Sequence, residues 1–201
     1  MEVVTQKDLV QAFAARGWRI SYDETSQPSA ELRLGDRVLV SLLTKRSPNS
    51  PFYTAGWITT DALSIAYTVM LHPRKRRAES TPLVSSPYIE INRPVASDED
   101  IDGVCATWMD WAREVDLDAG IAALLDKDAN GRGDMPARHL AALAVTGNLE
   151  VLETYRQAFA QGDRLGFVPY IMADHIIAAL GFAERRRAEP DWLPRSPRLR
   201  V

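Results

Sequence analysis

Hydrophobic spacing in the first part of the chain predicts a helix and then a β-hairpin. An apolar stripe over residues 9–14 follows a threonine, Thr5, that is placed as a helix N-cap. The period then changes from helical to alternating, so that residues 30–34 read as a strand. Gly35-Asp36 lies between that strand and the apolar run 37–43, as the two-residue loop of a tight hairpin does. We therefore predict a short helix followed by paired antiparallel strands.

Further strands are predicted on both sides of this hairpin. Residues 18–22 alternate between apolar and polar, and residues 52–60 are rich in aromatic and β-branched side chains. In residues 63–71, large side chains fall on successive odd positions, which predicts another strand; they are Leu63, Ile65, Tyr67, Val69 and Leu71. A loop rich in proline and arginine leads to a last short strand at residues 88–91.

From Ser97 onward the apolar spacing becomes helical. Apolar residues recur at intervals of three and four over residues 97–115, after a serine cap and several first-turn carboxylates. Further short helices are predicted at residues 117–125, 136–145, 149–161 and 168–182. The predicted fold class is α+β, with an N-terminal helix and a mostly antiparallel sheet of about five strands, followed by a C-terminal bundle of about five short helices.

The length of 201 residues fits a single domain. Within residues 1–201, we distinguish a helix-plus-sheet half (1–96), an acidic helical half (97–184) and a basic, proline-rich tail (185–201). No apolar run approaches the roughly 18 residues that a membrane span requires. The N-terminus also lacks the basic and apolar segments of a secretory signal.

Cysteine and arginine usage indicate the compartment and the origin. The single cysteine, Cys105, lies in a helical apolar stripe, which predicts a buried, unreactive thiol in a reducing, cytoplasmic compartment. Arginine outnumbers lysine 20 to 4, a bias that we associate with GC-rich bacterial genomes.

Charge is distributed unevenly along the chain. The formal net charge is −3, but residues 98–184 alone carry 16 acidic and 6 basic side chains. An acidic surface of this kind attracts a basic partner and repels nucleic acid, although it also serves simply to keep a surface solvated. The candidate partner-binding residues are Asp98, Glu99, Asp100, Asp102, Asp110, Glu114, Asp116 and Asp118.

The segment from residue 126 to residue 134 resembles the beginning of a calcium-binding EF-hand loop. Asp126, Asp128, Asn130 and Asp134 occupy ligand positions 1, 3, 5 and 9. Position 12, where the bidentate glutamate should stand, holds Ala137. The segment is therefore interpreted either as a degenerate, weak calcium loop or as a polar turn between helices in which Asp134 caps the next helix.

No catalytic residue is predicted from a motif. The three histidines, His72, His139 and His175, are isolated from each other, and His139 and His175 are interpreted as helix-packing residues. The sequence contains no nucleophile elbow, phosphate loop or dinucleotide fingerprint, so no cofactor is expected. The basic clusters at residues 74–77 and 185–187 lack interleaved aromatic side chains, so nucleic acid is not expected as a partner. Since no apolar run is long enough to span a bilayer, a membrane is not expected either.

These observations favour a non-enzymatic bacterial protein that binds another, basic protein. The most concrete form is an inhibitor or immunity-type protein that neutralises a toxin or effector through surface complementarity. A secretion chaperone has the same features, and an enzyme with a site assembled between sheet and helices also remains open. A homo-oligomer is compatible with the sequence as well.

Overall fold

The computed structural model describes residues 2–23, 25–47, 49–75, 77–86, 88–127 and 129–194. The strands are β1 Arg19–Tyr22, β2 Pro28–Leu34, β3 Arg37–Lys45, β4 Phe52–Thr60, β5 Val84–Ser85 and β6 Ile89–Ile91. The helices are α1 Gln6–Ala15, α2 Asp61–Leu71, α3 Asp98–Glu114, α4 Leu117–Leu125, α5 Met135–Val145, α6 Leu149–Ala160 and α7 Ala173–Ala188. The α+β prediction is confirmed.

The contacts between residues divide the chain into two compact units, each of which is discontinuous in sequence. The sheet unit contains residues 1–59 and 84–116, and the helical unit contains residues 60–83 and 117–201. The single-domain organisation stays a prediction. In the described part of the chain, no helix combines the length and the apolar character needed to cross a bilayer.

The sheet has six strands. Its hydrogen-bonded order is β1-β2-β3-β4-β5, and β6 also pairs with β4. The predicted hairpin is confirmed, because β2 and β3 are antiparallel with Leu34 opposite Arg37 and with Gly35 in the left-handed conformation, at φ 67°. The predicted helix at the N-terminus is also confirmed, and Thr5 and Asp8 form its reciprocal capping box.

Strand β4 pairs with β5 and β6 at different places along its length. Trp57 and Ile58 lie opposite β5, whereas residues 52–54 lie opposite β6. Between these pairings, the Ser86 N–H donates to the Gly56 carbonyl at 2.9 Å, and the Gly56 N–H donates to the Ser86 hydroxyl at 3.0 Å. These two hydrogen bonds therefore hold Ser86, which lies between β5 and β6, against strand β4.

The core of the sheet unit includes the apolar stripe of α3. Trp108 is only 1% exposed, and its indole N–H donates to the Thr54 hydroxyl at 3.1 Å. Arg37 secures the end of the same helix, because its Nη1 donates to the carbonyls of Ala112 and Val115 at 2.6 and 2.8 Å. The C-terminal carbonyls of a helix lack partners within the helix, so this arginine supplies the missing donors.

The strand predicted at residues 63–71 is wrong, because this segment forms α2. Thr60 caps the helix by accepting from the Leu63 N–H at 3.2 Å. The small even-numbered residues Ser64, Ala66 and Thr68 are buried, whereas the large odd-numbered Ile65, Tyr67 and Leu71 are only partly buried. A helix that is buried on most sides loses the polar face from which helical spacing is recognised, so its large residues can alternate by chance.

The C-terminal helical region is confirmed, with five helices in α3–α7, but its last helix lies later in the chain than predicted. Helix α7 covers Ala173–Ala188 instead of residues 168–182, and Pro169 lies in the preceding loop. The helix begins only after Met172, whose backbone is extended and whose N–H donates to His175 Nδ1 at 3.1 Å. The basic, proline-rich tail therefore begins inside α7, which continues to Ala188, and residues 195–201 lie outside the described residues.

Candidate functional site

Helix α3 presents an acidic face on the side opposite its buried stripe. Glu99, Asp102, Asp110 and Glu114 are exposed, and their spacing places all four on one side of the helix. Because the other side is fixed in the core by residues such as Trp108, this face has a defined orientation in the sheet unit. It contains four of the eight predicted partner-binding residues.

Two carboxylates near the start of this helix, Asp98 and Asp102, are fixed by an arginine distant in sequence. Arg16 donates from Nη2 to Asp98 Oδ1 at 2.9 Å and from Nε to Asp102 Oδ1 at 2.6 Å. The same guanidinium also reaches the carbonyls of Asp98 and Ala12 at 3.0 Å. Arg16 thus connects the end of α1 to the beginning of α3, and it partly offsets the negative charge of the acidic face.

Asp100 has a structural role at the start of the helix. Its Oδ2 accepts from the Ser97 N–H at 2.8 Å and from the Ser97 hydroxyl at 2.9 Å, completing a capping box. Its other oxygen forms an ion pair with Arg93. The backbone hydrogen bond from Ser97, followed by smaller contributions that include Arg93, lowers the pKa of Asp100. This carboxylate is therefore engaged within the protein.

The remaining predicted acidic residues differ in surroundings. Asp110 pairs with Arg113 at 2.7 Å on the exposed side of α3. Asp116 is exposed just after α3, whereas Asp118 is exposed in the first turn of α4 and belongs to the helical unit. We define the acidic face of α3 as Glu99, Asp102, Asp110 and Glu114.

The calcium-like segment lies between α4 and α5 in the helical unit. Asp126 and Asn130 are exposed, and Asp128 lies outside the described residues. Asp134 occupies the N-cap position of α5, but its carboxylate accepts from Arg138 Nε at 2.8 Å instead of from a backbone N–H. The predicted capping hydrogen bond from Asp134 is therefore wrong, because the arginine one turn later binds that carboxylate.

Position 12 of the calcium-like segment cannot serve as a ligand. Ala137 is fully buried on the inner side of α5, so a side chain at this position is directed into the core. In the described part of the chain, no group of three or more histidine, cysteine, aspartate or glutamate residues is arranged to hold a metal ion. Weak calcium binding by this segment stays a prediction.

His139 is a buried residue of the helical unit. It is 3% exposed, and its Nδ1 lies 2.9 Å from the Leu124 carbonyl, so this nitrogen carries the proton and donates. Its Nε2 then accepts from the Tyr155 hydroxyl, at 3.1 Å. Burial lowers the pKa of His139 against a smaller opposing effect of the Leu124 hydrogen bond. Both ring nitrogens are used in packing the helices together.

Acidification is expected to destabilise the protein through His139. Its folded pKa lies below the ordinary value of 6.5, so the folded state binds fewer protons than the unfolded state. The contribution is fully present above about pH 6.5 and is lost as pH falls through the folded pKa. The thermal midpoint of His139→Gln, which does not titrate, should fall less between pH 7 and pH 5 than that of the wild type. The pH dependence that remains in the variant should come from His175, whose pKa is also lowered mainly by burial. An equal fall of the thermal midpoint in both proteins would contradict the assignment.

A cleft of about 350 Å³ lies at the ends of α5 and α7. It is open to solvent, and two arginines, Arg186 and Arg187, line it together with Thr146 and Gly147. A depression in the sheet unit is lined mainly by apolar side chains and has no volume for a water molecule. Neither has the shape of an enclosed substrate pocket.

Sequence reasoning missed a second exposed surface, in the helical unit. Of the six large hydrophobic side chains that are exposed in the described residues, four lie between residues 165 and 177. They are Leu165, Tyr170, Met172 and Ile177. The helix predicted at 168–182 obscured this cluster, because it placed most of these residues on a regular helix.

The fold and these surfaces define an α+β protein with an acidic helix face and a separate exposed apolar segment. Residues 5–184 match the model of a family described as a family of unknown function (DUF6990), so the chain belongs to that family. Comparison with curated proteins and with solved structures gives no match. The matched range includes both α3 and the segment 165–177.

Proposed function

We propose that this protein is a non-enzymatic, cytoplasmic bacterial protein of the inhibitor or immunity type, which neutralises a basic toxin or effector. The observation that carries the proposal is the acidic face of α3. Four carboxylates project from one side of a helix whose opposite side is anchored in the core. A fixed array of like charges accelerates encounter with a basic surface and selects against acidic ones.

The acidic face is also pre-organised. Asp102 is fixed by Arg16, and Asp110 is paired with Arg113, so these carboxylates need little additional ordering when a partner binds. Glu99 and Glu114 lie at opposite ends of the same face. Because exposed charges are screened by salt, binding through this surface should weaken as ionic strength increases.

A role as a secretion chaperone would use the same acidic face, so the two functions differ in the partner that binds there. An inhibitor blocks the activity of an enzyme-like toxin at one-to-one stoichiometry, whereas a chaperone keeps a secretion substrate competent for export. A toxin gene beside this gene would support the first role, and a secreted substrate gene would support the second. The single buried thiol, Cys105, fits the cytoplasm in either role.

Reversing the charge of the acidic face should abolish partner binding. We expect the variant Glu99→Lys, Asp110→Lys, Glu114→Lys to lose the partner that the wild-type chain captures from extracts of its native host at low salt. None of the three residues contributes to the capping box or to the contacts of Arg16, so the fold should be retained. Circular dichroism and thermal midpoint would verify this.

A matched control changes the net charge by the same amount elsewhere. Glu150, Glu189 and Asp191 are exposed in the helical unit, and replacing all three by lysine leaves α3 unchanged. This control should still capture the partner. Equal capture by both variants, or equal loss, would show that the acidic face of α3 is not the binding surface.

A further inference from the structure

Two neighbouring arginines line the open cleft of the helical unit at the ends of α5 and α7. Arg186 and Arg187 belong to the last turn of α7, and Thr146 and Gly147 line the cleft from the turn after α5. Among the described residues that line this cleft, no side chain is acidic. The cleft therefore brings two positive charges together at a depression of about 350 Å³.

Most hydrogen-bond donors of these two arginines are unused within the described part of the chain. Arg186 donates from Nη1 to the Trp192 carbonyl at 3.4 Å, whereas its Nε is buried and meets no acceptor among the described residues. No hydrogen bond or ion pair with a described residue engages the guanidinium of Arg187. A guanidinium has five N–H donors, and burying some of them unmatched costs stability. This cost is explained if the two side chains serve to bind an anion.

Stabilisation of a helix end does not account for the pair. Basic residues often occupy the last turn of a helix because they offset its partly negative carbonyl end. At the end of α5, however, the Thr146 N–H and hydroxyl already donate to the Ala142 carbonyl, at 3.1 and 2.8 Å. The acceptor of Arg186, the Trp192 carbonyl, lies beyond the end of α7. The arginines are therefore not occupied in capping either helix.

The turn at Gly147 holds the two sides of the cleft together. Gly147 is left-handed at φ 67°, and a Cβ added to it would lie 3.6 Å from the Arg187 Cβ and 3.8 Å from the Ala183 carbonyl oxygen. Helix α6 begins two residues later, at Leu149, with Asn148 as its N-cap. The partly positive beginning of a helix thus follows directly on a residue that lines the cleft, which adds to its attraction for an anion.

Carboxylates around the cleft restrict the size of the anion. Glu184, Glu189 and Asp191 are exposed and lie close to the two arginines in sequence. Glu150 is exposed in the first turn of α6. Within the described residues, none of these carboxylates forms an ion pair with either arginine. They would repel a nucleic-acid strand, whose charges continue beyond the cleft, but they leave room for a small anion inside it.

Phosphate is the anion that best matches two guanidinium groups. One bidentate arginine is enough for a carboxylate, whereas a phosphate group has three terminal oxygens and up to two charges and can accept from two arginines. The volume of about 350 Å³ lies within the range of small-molecule sites. We infer that Arg186 and Arg187 bind the phosphate group of a small phosphorylated molecule in this cleft. The site does not involve the acidic face of α3, so either proposal can fail while the other holds.

Phenyl phosphate is a suitable probe for this site. Isothermal titration calorimetry on the full chain, at low ionic strength in a buffer without phosphate or sulfate, should show saturable one-to-one binding. Benzoate, a carboxylate of similar size, should bind about tenfold more weakly, since it needs only one of the arginines. Arg187→Gln should weaken the binding of phenyl phosphate by about tenfold or more, because it removes a charge-assisted contact.

Arg186→Met gives a result that a purely structural arginine would not give. Methionine retains apolar bulk but removes the buried Nε, which has no acceptor in the described chain. The thermal midpoint of this variant, measured in the same buffer, should therefore equal or exceed that of the wild type. Its affinity for phenyl phosphate should nevertheless fall by about tenfold or more.

Arg185→Gln is the matched control, because it removes the same charge from the same turn of α7. The guanidinium of Arg185 lies over the Trp192 ring, at 5.3 Å from the centroid, and Arg185 is not among the residues that line the cleft in the described part of the chain. This variant should bind phenyl phosphate as the wild type does.

Several results would overturn the inference. Absence of saturable binding at millimolar phenyl phosphate, equal affinity for benzoate, or equal weakening by Arg185→Gln would each show that the cleft is not a phosphate site. A lower thermal midpoint of Arg186→Met with unchanged affinity would show that this arginine is structural. Tighter binding of a single-stranded oligonucleotide or of a phosphoserine peptide than of phenyl phosphate would show that the occupant is a macromolecule.

Discussion

Replacement of Gly56 by alanine is expected to lower the free energy of unfolding by about 3 kcal/mol or more. A Cβ at this position would lie 1.8 Å from the Val40 carbonyl oxygen and 2.6 Å from the outer ring of Trp108. The carbonyl belongs to the neighbouring strand β3, so the clash can be relieved only by moving the sheet. Chemical denaturation followed by circular dichroism would measure the loss.

Gly103→Ala is the matched control for this prediction. Gly103 lies within α3, and an added Cβ there meets no atom within 4 Å. Because glycine is a poor helix former, the substitution should raise the free energy of unfolding by about 0.5–1 kcal/mol. If Gly56→Ala were as stable as the wild type, the close approach of β3 and β4 would be incorrect.

Trp108→Ala is expected to lower the free energy of unfolding by about 3–5 kcal/mol. The substitution removes one of the largest fully buried side chains and leaves the Thr54 hydroxyl without the indole donor. The ring of Trp111 would also lose its edge-to-face neighbour, at a centroid distance of 5.9 Å. The loss should be seen as a lower denaturation midpoint.

Trp111→Ala provides the comparison. Trp111 is only partly buried, so its removal should cost less than half as much as that of Trp108. Trp108 is enclosed in the core and cannot touch a partner, whereas Trp111 retains exposed surface. Equal losses for the two variants would contradict this difference in burial.

Much of the fold was predictable because local patterns and tertiary packing agree. The turn at Gly35-Asp36 produced the expected hairpin, and the apolar stripe of α3 is buried as its spacing predicts. The segment 63–71 failed for the opposite reason. It is helix α2, in which the large side chains from Leu63 to Leu71 on odd positions happen to alternate with the small, buried Ser64, Ala66 and Thr68.

The candidate surfaces were predictable only in part. The acidic residues of α3 could be read from the sequence, but their ion pairs could not, since Arg16 is 82 residues away from Asp98. The exposed apolar residues around Leu165 were missed because exposure depends on which side of a loop faces the core. The glycines at 162 and 166 were a sequence signal for a loop around residue 165, because both adopt left-handed backbone that does not continue a helix.

By itself, the sequence determined the α+β class, the hairpin, the position of α3 and the acidic character of its outer face. These features depend on side-chain period, capping and turn residues, which act over a few positions. Only the tertiary structure decided that Trp108 is core, that Arg16 offsets part of the acidic charge, and that Leu165 is exposed in a strained conformation. Burial and ion pairing of this kind depend on contacts between segments that are distant in sequence, so the residues next to a position along the chain do not specify them.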